Sequence, residues 1–213
     1  MDAESKICLS IGNIGFEEVL QLLQKVDLAE IRMDLLGFTD EQYKAIFQSH
    51  RNIIATFRSP EGDYLKLSMM MALAIEGGCA YVDIDVLTPD SYRNALVQAA
   101  QSKGVKVILS YHNYTETPSA EKLNSLVDEL FLLGANIAKV ACVAGAAADC
   151  ARMLSLYENY DNLVAFCMGE MGKVTRLASP LLGAPFTYAS VNGMQTAAGQ
   201  LEYNDIKLIL SKL

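Results

Sequence analysis

Short apolar runs rich in β-branched residues recur along the whole chain. They fall at Lys6–Ile11, Leu28–Asp34, Ile53–Arg58, Tyr81–Val86, Lys106–Tyr111, Ile137–Val143, Leu163–Met168 and Phe186–Ser190. Runs of this length and composition predict strands covered on both faces. Each is separated from the next by enough chain for a helix. The clearest helix is the one after the fifth run, where Leu123, Leu126, Val127, Leu130 and Phe131 repeat at helical spacing. Thr117-Pro118 ahead of it reads as an N-cap followed by a first-turn proline, and Gly134 supplies the stop. Ser91–Ser102 and Tyr203–Leu213 carry the same stripe more loosely.

Eight strand–helix units without a composition break or linker predict one (β/α)8 barrel, an α/β fold, spanning residues 1–213. A doubly wound open sheet shares the alternation, but its dinucleotide-binding version expects GxGxxG after the first strand, and none is present. A barrel has a consequence for reading the remaining residues. Its sites form at the C-terminal ends of the strands, so polar residues there belong together however far apart they lie in sequence.

Composition narrows the partners. The net charge of -8 disfavours a nucleic-acid scaffold and leaves a small molecule as the expected partner. No stretch reaches the roughly 20 apolar residues of a membrane span. Met1-Asp2-Ala3-Glu4-Ser5 lacks a leader pattern, so the expected location is the cytoplasm, with no membrane attachment. The five cysteines are scattered with no CxxC pair, so no metal site is expected, and Cys8, Cys142 and Cys167, inside strand-like runs, read as buried thiols in a reducing compartment.

One charge stands out against this pattern. Lys139 interrupts Asn136-Ile137-Ala138-Lys139-Val140-Ala141-Cys142, where an ammonium must be paired, desolvated or neutral. A neutral lysine in a dry pocket attacks carbonyls. Read alone, it is equally a residue that snorkels or pairs with a buried carboxylate such as Asp83. Other polar exceptions fall at the same end of the barrel: Glu30, Arg32 and Asp34 after strand two, Arg58 and Glu61 after strand three, Asp83 and Asp85 on strand four. His112 follows strand five, Arg176 strand seven, and Thr196 with Gln200 strand eight. Period-two alternation puts Glu30, Arg32 and Asp34 on one strand face, and Asp83 with Asp85 on another. The two aspartates read equally well as mere supports for their neighbours. An imine-forming lysine beside a histidine fits a cofactor-independent lyase, or a class I aldolase or transaldolase. Aldolases acting on phosphorylated substrates expect a Gly/Ser-rich phosphate nest in the last two loops, where this chain has Arg176 and Gln200.

Six segments decide between these classes: Glu30-Ile31-Arg32-Met33-Asp34, Thr56-Phe57-Arg58-Ser59, Ser110-Tyr111-His112-Asn113-Tyr114, Ala138-Lys139-Val140-Ala141, Met168-Gly169 through Thr175-Arg176, and Gly199-Gln200. In this order they resemble type I 3-dehydroquinate dehydratase, the Schiff-base class of the shikimate pathway. The resemblance implies that Lys139 forms an imine with the C3 ketone of 3-dehydroquinate, that His112 is the general acid and base, and that Glu61 orients it. It further implies that Glu30, Arg32 and Arg58 grip ring hydroxyls, that Arg176, Thr196 and Gln200 hold the substrate carboxylate, and that the protein is a homodimer. The loop holding Glu61 is contracted relative to the family pattern, and Thr196 and Ala198 stand where serine and proline are usual.

Overall fold

Every predicted run is a strand in the computed structural model, which describes residues 6–59, 61–191 and 193–213. Met1–Ser5, read above for their lack of a leader pattern, lie outside the described residues. The strands are β1 (Ile7–Ile11), β2 (Leu28–Arg32), β3 (Ile53–Thr56), β4 (Tyr81–Asp85), β5 (Lys106–Asn113), β6 (Ile137–Val143), β7 (Leu163–Met168) and β8 (Thr187–Ser190). They pair in parallel in the order β7-β6-β5-β4-β3-β2-β1-β8. The helices between them are α1 (Phe16–Leu23), α2 (Asp40–Ser49), α3 (Tyr64–Gly77), α4 (Asp90–Ser102), α5 (Ala120–Leu132), α6 (Ala147–Leu154), α7 (Lys173–Ala178) and α8 (Tyr203–Leu210). The fold is a nearly closed (β/α)8 barrel.

Three local expectations change, each for a reason visible in the hydrogen bonding. The cap of α5 is Ser119, whose hydroxyl accepts from the Lys122 N–H. Thr117 is not the cap, because its hydroxyl donates to the Val143 carbonyl and ties the loop to β6. β2 ends at Arg32, since Met33–Leu35 form a 3-10 turn, so Asp34 leaves the strand face it was expected to share with Glu30. β5 runs on to Asn113, which carries His112 within the ladder opposite Ala141.

Alternation along each strand separates two cores. On β6, Ala138, Val140 and Cys142 face the helices, while Ile137 and Ala141 face the barrel interior with Cys8, Ile54, Ile108, Val164, Phe166 and Tyr188. Lys139 sits between Ile137 and Ala141 and so projects inward. The β7–β8 seam, at the two ends of the pairing order, is packed by aromatic side chains. Phe166 meets Tyr188 edge-on at 6.2 Å between ring centres, and Phe186 meets Tyr188 at 5.4 Å.

Candidate active site

Inward projection makes Lys139 a buried cation, and the neighbouring strands answer it with carboxylates. Its Nζ donates to Asp83 Oδ2 at 2.8 Å and lies 3.9 Å from Glu30 Oε1. It also stands 4.1 Å from the centre of the Tyr188 ring, on the face that attracts cations. Asp83, on β4, reaches the other way to the Arg58 guanidinium at 2.7 Å and accepts from the Ser110 hydroxyl at 2.6 Å. Glu30 is held by the Ser10 and Thr56 hydroxyls. Each of these carboxylates is therefore satisfied by hydrogen bonds as well as by charge, which burial requires.

The electrostatics follow from that pairing. Burial opposes ionisation of Asp83, but the Arg58, Lys139 and His112 charges outweigh it and hold its carboxyl far below the ordinary range. Burial likewise works against the Arg58 cation, and the Asp83 charge leads a net rise. A carboxylate whose folded pKa is depressed stabilises the fold fully above its unfolded value of about 3.9 and loses that contribution as pH falls toward the folded value. Denaturation by urea between about pH 5 and about pH 2 is therefore expected to show a steep acid loss of stability that Asp83→Asn flattens. An unchanged slope in that variant would refute the assignment.

Arg176 is the opposite case, a cation with no carboxylate partner among the described residues. It is fully buried, its guanidinium lies 4.1 Å from the centre of the Phe166 ring, and Nη2 donates only a long 3.4 Å bond to the Ala198 carbonyl. Nε and Nη1 have no hydrogen-bond partner among the described residues. Burial lowers its pKa to about 10, which leaves it charged at neutral pH. A buried guanidinium with these groups unpartnered is costly and calls for an anion.

Lys139 and Arg176 line one cavity of about 180 Å³, together with Glu30, Arg58, His112 and Gln200. The loop after β8 forms its roof. Gln200 Oε1 accepts from the Thr196 and Ala197 N–H groups at 2.8 and 3.1 Å, so only its amide N–H groups remain to offer a ligand. The Thr196 hydroxyl meets Ser10 at 2.7 Å, and Arg32 donates to the Thr196 carbonyl at 3.3 Å. Gly199 has φ +75, and a Cβ there would lie 2.5 Å from the Gly169 carbonyl oxygen, so only glycine lets the β8 loop rest on the β7 loop. Among the described residues no cluster of His, Cys, Asp and Glu suits a metal ion.

The family profile of Type I 3-dehydroquinase matches residues 7–213. The chain belongs to the type I 3-dehydroquinase family. Relatives of the family include the 3-dehydroquinate dehydratase of Thermococcus onnurineus, 36% identical over 86% of this chain and 86% of that protein. That of Desulfotalea psychrophila is 30% identical over 97% of each. In three dimensions the 3-dehydroquinate dehydratase of Aquifex aeolicus superposes with a TM-score of 0.80 at 25% identity, covering 98% of both chains.

Within this type I 3-dehydroquinase barrel, the residues picked out by resemblance divide in two. Glu30, Arg58, His112, Lys139, Arg176, Thr196 and Gln200 all border the cavity. Arg32 borders it too, but its guanidinium is engaged by Asp34 in two bonds, of 3.0 and 2.6 Å. Glu61 does not join them. It is exposed on the contracted loop and makes no hydrogen bond or ion pair among the described residues. The carboxylate at His112 Nδ1 is instead Asp85, at 3.1 Å. Sequence reading also missed Ser10 and Ser110, whose signal was a polar residue on an inward strand face, and Tyr188, whose signal was an aromatic ring on such a face. The five cysteines are all buried, and burial pushes Cys79, Cys142 and Cys167 up to about 12, which makes them poor nucleophiles.

Proposed function

We propose that this member of the type I 3-dehydroquinase family dehydrates 3-dehydroquinate to 3-dehydroshikimate through an imine on Lys139, with His112 moving the protons. The observation that carries the reading is the placement of one inward lysine and one anion-seeking arginine across a single small cavity. A substrate with both a ketone and a carboxylate satisfies the two together.

In this mechanism the Lys139 amine adds to the C3 carbonyl and water leaves, giving a protonated imine. The nitrogen remains cationic, so Asp83, Glu30 and the Tyr188 ring stabilise the intermediate with groups already in position. The imine draws electrons from C2, and His112 removes the C2 proton. It then delivers a proton to the C1 hydroxyl, which departs as water. Water finally adds back to the imine carbon and releases the product from Lys139. Arg176 offers its charge and its unpartnered Nε and Nη1 N–H groups to the substrate carboxylate. Glu30 and Arg58 remain beside the lysine to meet ring hydroxyls.

The direct test is to incubate the protein with 3-dehydroquinate and borohydride and to map the adduct by mass spectrometry. A stable mass increase on Lys139 is expected. Turnover without any mark on that residue would sink the imine. His112→Ala is expected to lower kcat by about 10²- to 10⁴-fold, the usual worth of a positioned acid/base. The variant should still accumulate the Lys139 adduct, because the amine itself is intact.

A further inference from the structure

We propose that Asp85, at the end of β4, is the positioning residue of His112, holding the imidazole by its Nδ1 so that Nε2 serves the substrate. This deepens the proposed function and rests on the assignment of His112 as the acid/base.

The geometry has three parts. Asp85 Oδ2 lies 3.1 Å from His112 Nδ1, and Asp85 Oδ1 accepts the Leu87 N–H at 2.9 Å, which fixes the carboxylate in turn. Asp85 is paired in register with Ser110, two residues before His112 on the adjacent strand, so both partners sit on strands rather than on loops. The Tyr114 ring, nearly parallel to the imidazole at 6.2 Å, covers it from the side. A strand-borne site holds its geometry better than one built on a loop. Glu61, the residue that the resemblance assigns to this task, is exposed on the loop after β3.

Charge leads to the same residue. The groups facing His112 are Asp83 and Asp85 from β4, Arg58 from beyond β3 and Lys139 from β6. Burial first, then the two cations, disfavour the imidazolium that must form when the histidine takes a proton, and Asp85 is the hydrogen-bonded anion that offsets them. Asp85 itself stays ionised: burial opposes this, but the His112 hydrogen bond and the Arg58 charge prevail. An ionised carboxylate only accepts, so the neutral histidine carries its proton on Nδ1 and presents a bare Nε2. β4 then supplies both supports of the reaction, Asp83 for the lysine and Asp85 for the histidine.

The experiment compares Asp85→Asn, Asp85→Glu and Glu61→Gln across pH, with borohydride trapping in parallel. Asp85→Asn is expected to lower kcat by about tenfold or more with a much smaller change in KM. Its acid limb of kcat/KM should move to lower pH, because the lost carboxylate had favoured the imidazolium. Trapping at Lys139 should persist in the same variant. Asp85→Glu, which keeps the charge, should recover part of kcat and return the limb. Unaltered kcat and pH profile in Asp85→Asn, or the larger loss and shift in Glu61→Gln, would overturn the proposal. Nitrogen NMR of the unsubstituted protein gives a second reading that needs no folded variant, with His112→Gln only assigning the signal. Protonated Nδ1 supports the proposal, and a proton on Nε2 instead overturns it. Absence of any adduct in the unsubstituted protein would instead bring down the imine reading, and this assignment with it.

Discussion

Replacing Lys139 with alanine is expected to lower kcat by about 10⁴-fold or more, equivalent to about 5 kcal/mol of lost transition-state stabilisation. The loss is expected to be large because the proposed imine is the electron sink that makes C2–H acidic, and no other amine projects into the cavity among the described residues. Two effects mix in this variant. The nucleophile disappears, and Asp83 and Glu30 lose a cation within 2.8 and 3.9 Å. Lys139→Arg separates them, since a guanidinium keeps the charge but stays protonated and forms no imine. Steady-state kinetics with borohydride trapping should find both variants without turnover and without adduct. Full activity in either would exclude the covalent route. Urea denaturation should find the alanine variant the less stable of the two, because it alone leaves the carboxylates with a missing partner.

The second large effect is expected at Arg176. Arg176→Met, which keeps much of the apolar volume, should raise KM for 3-dehydroquinate by about 10²- to 10³-fold, the cost of leaving a buried substrate carboxylate without its cation. Its effect on kcat should be far smaller. Stability should move the other way from the usual core substitution. This guanidinium is fully buried with Nε and Nη1 unpartnered among the described residues, so exchanging it for a thioether removes a desolvated charge. Thermal melts without ligand should find the variant at least as stable as the original chain, and 3-dehydroquinate should raise only the original's melting temperature appreciably. An unchanged KM would show that Arg176 does not hold the carboxylate.

These expectations were reachable from sequence to different depths. Lys139 was visible because period-two alternation makes a charge in an apolar run conspicuous, and the barrel then assigned it a direction. In the structure it pairs with Asp83 and also lines the cavity. Arg176 was visible as a motif, but its want of a partner was not, because burial of a guanidinium depends on how β7, α7 and the β8 loop close over it. The carboxylate that meets His112 in the structure was missed for a similar reason. Strand membership is a local property that Asp83 and Asp85 displayed openly, whereas the conformation of the contracted loop carrying Glu61 depends on what packs beneath it. Asp34 was misjudged because a 3-10 turn begins one residue earlier than the apolar run ends.

The aromatic packing at the β7–β8 seam has a further consequence. Lys139 stands on the face of Tyr188 and Arg176 on the face of Phe166, each 4.1 Å from its ring centre, and the two rings touch. On the proposed mechanism the pair acts as a ruler between the nitrogen assigned to the ketone and the guanidinium assigned to the carboxylate. A keto acid whose two groups are closer together, or further apart, reaches one cation and misses the other. On that mechanism selectivity is a matter of length, set by two aromatic rings that make and break no bonds.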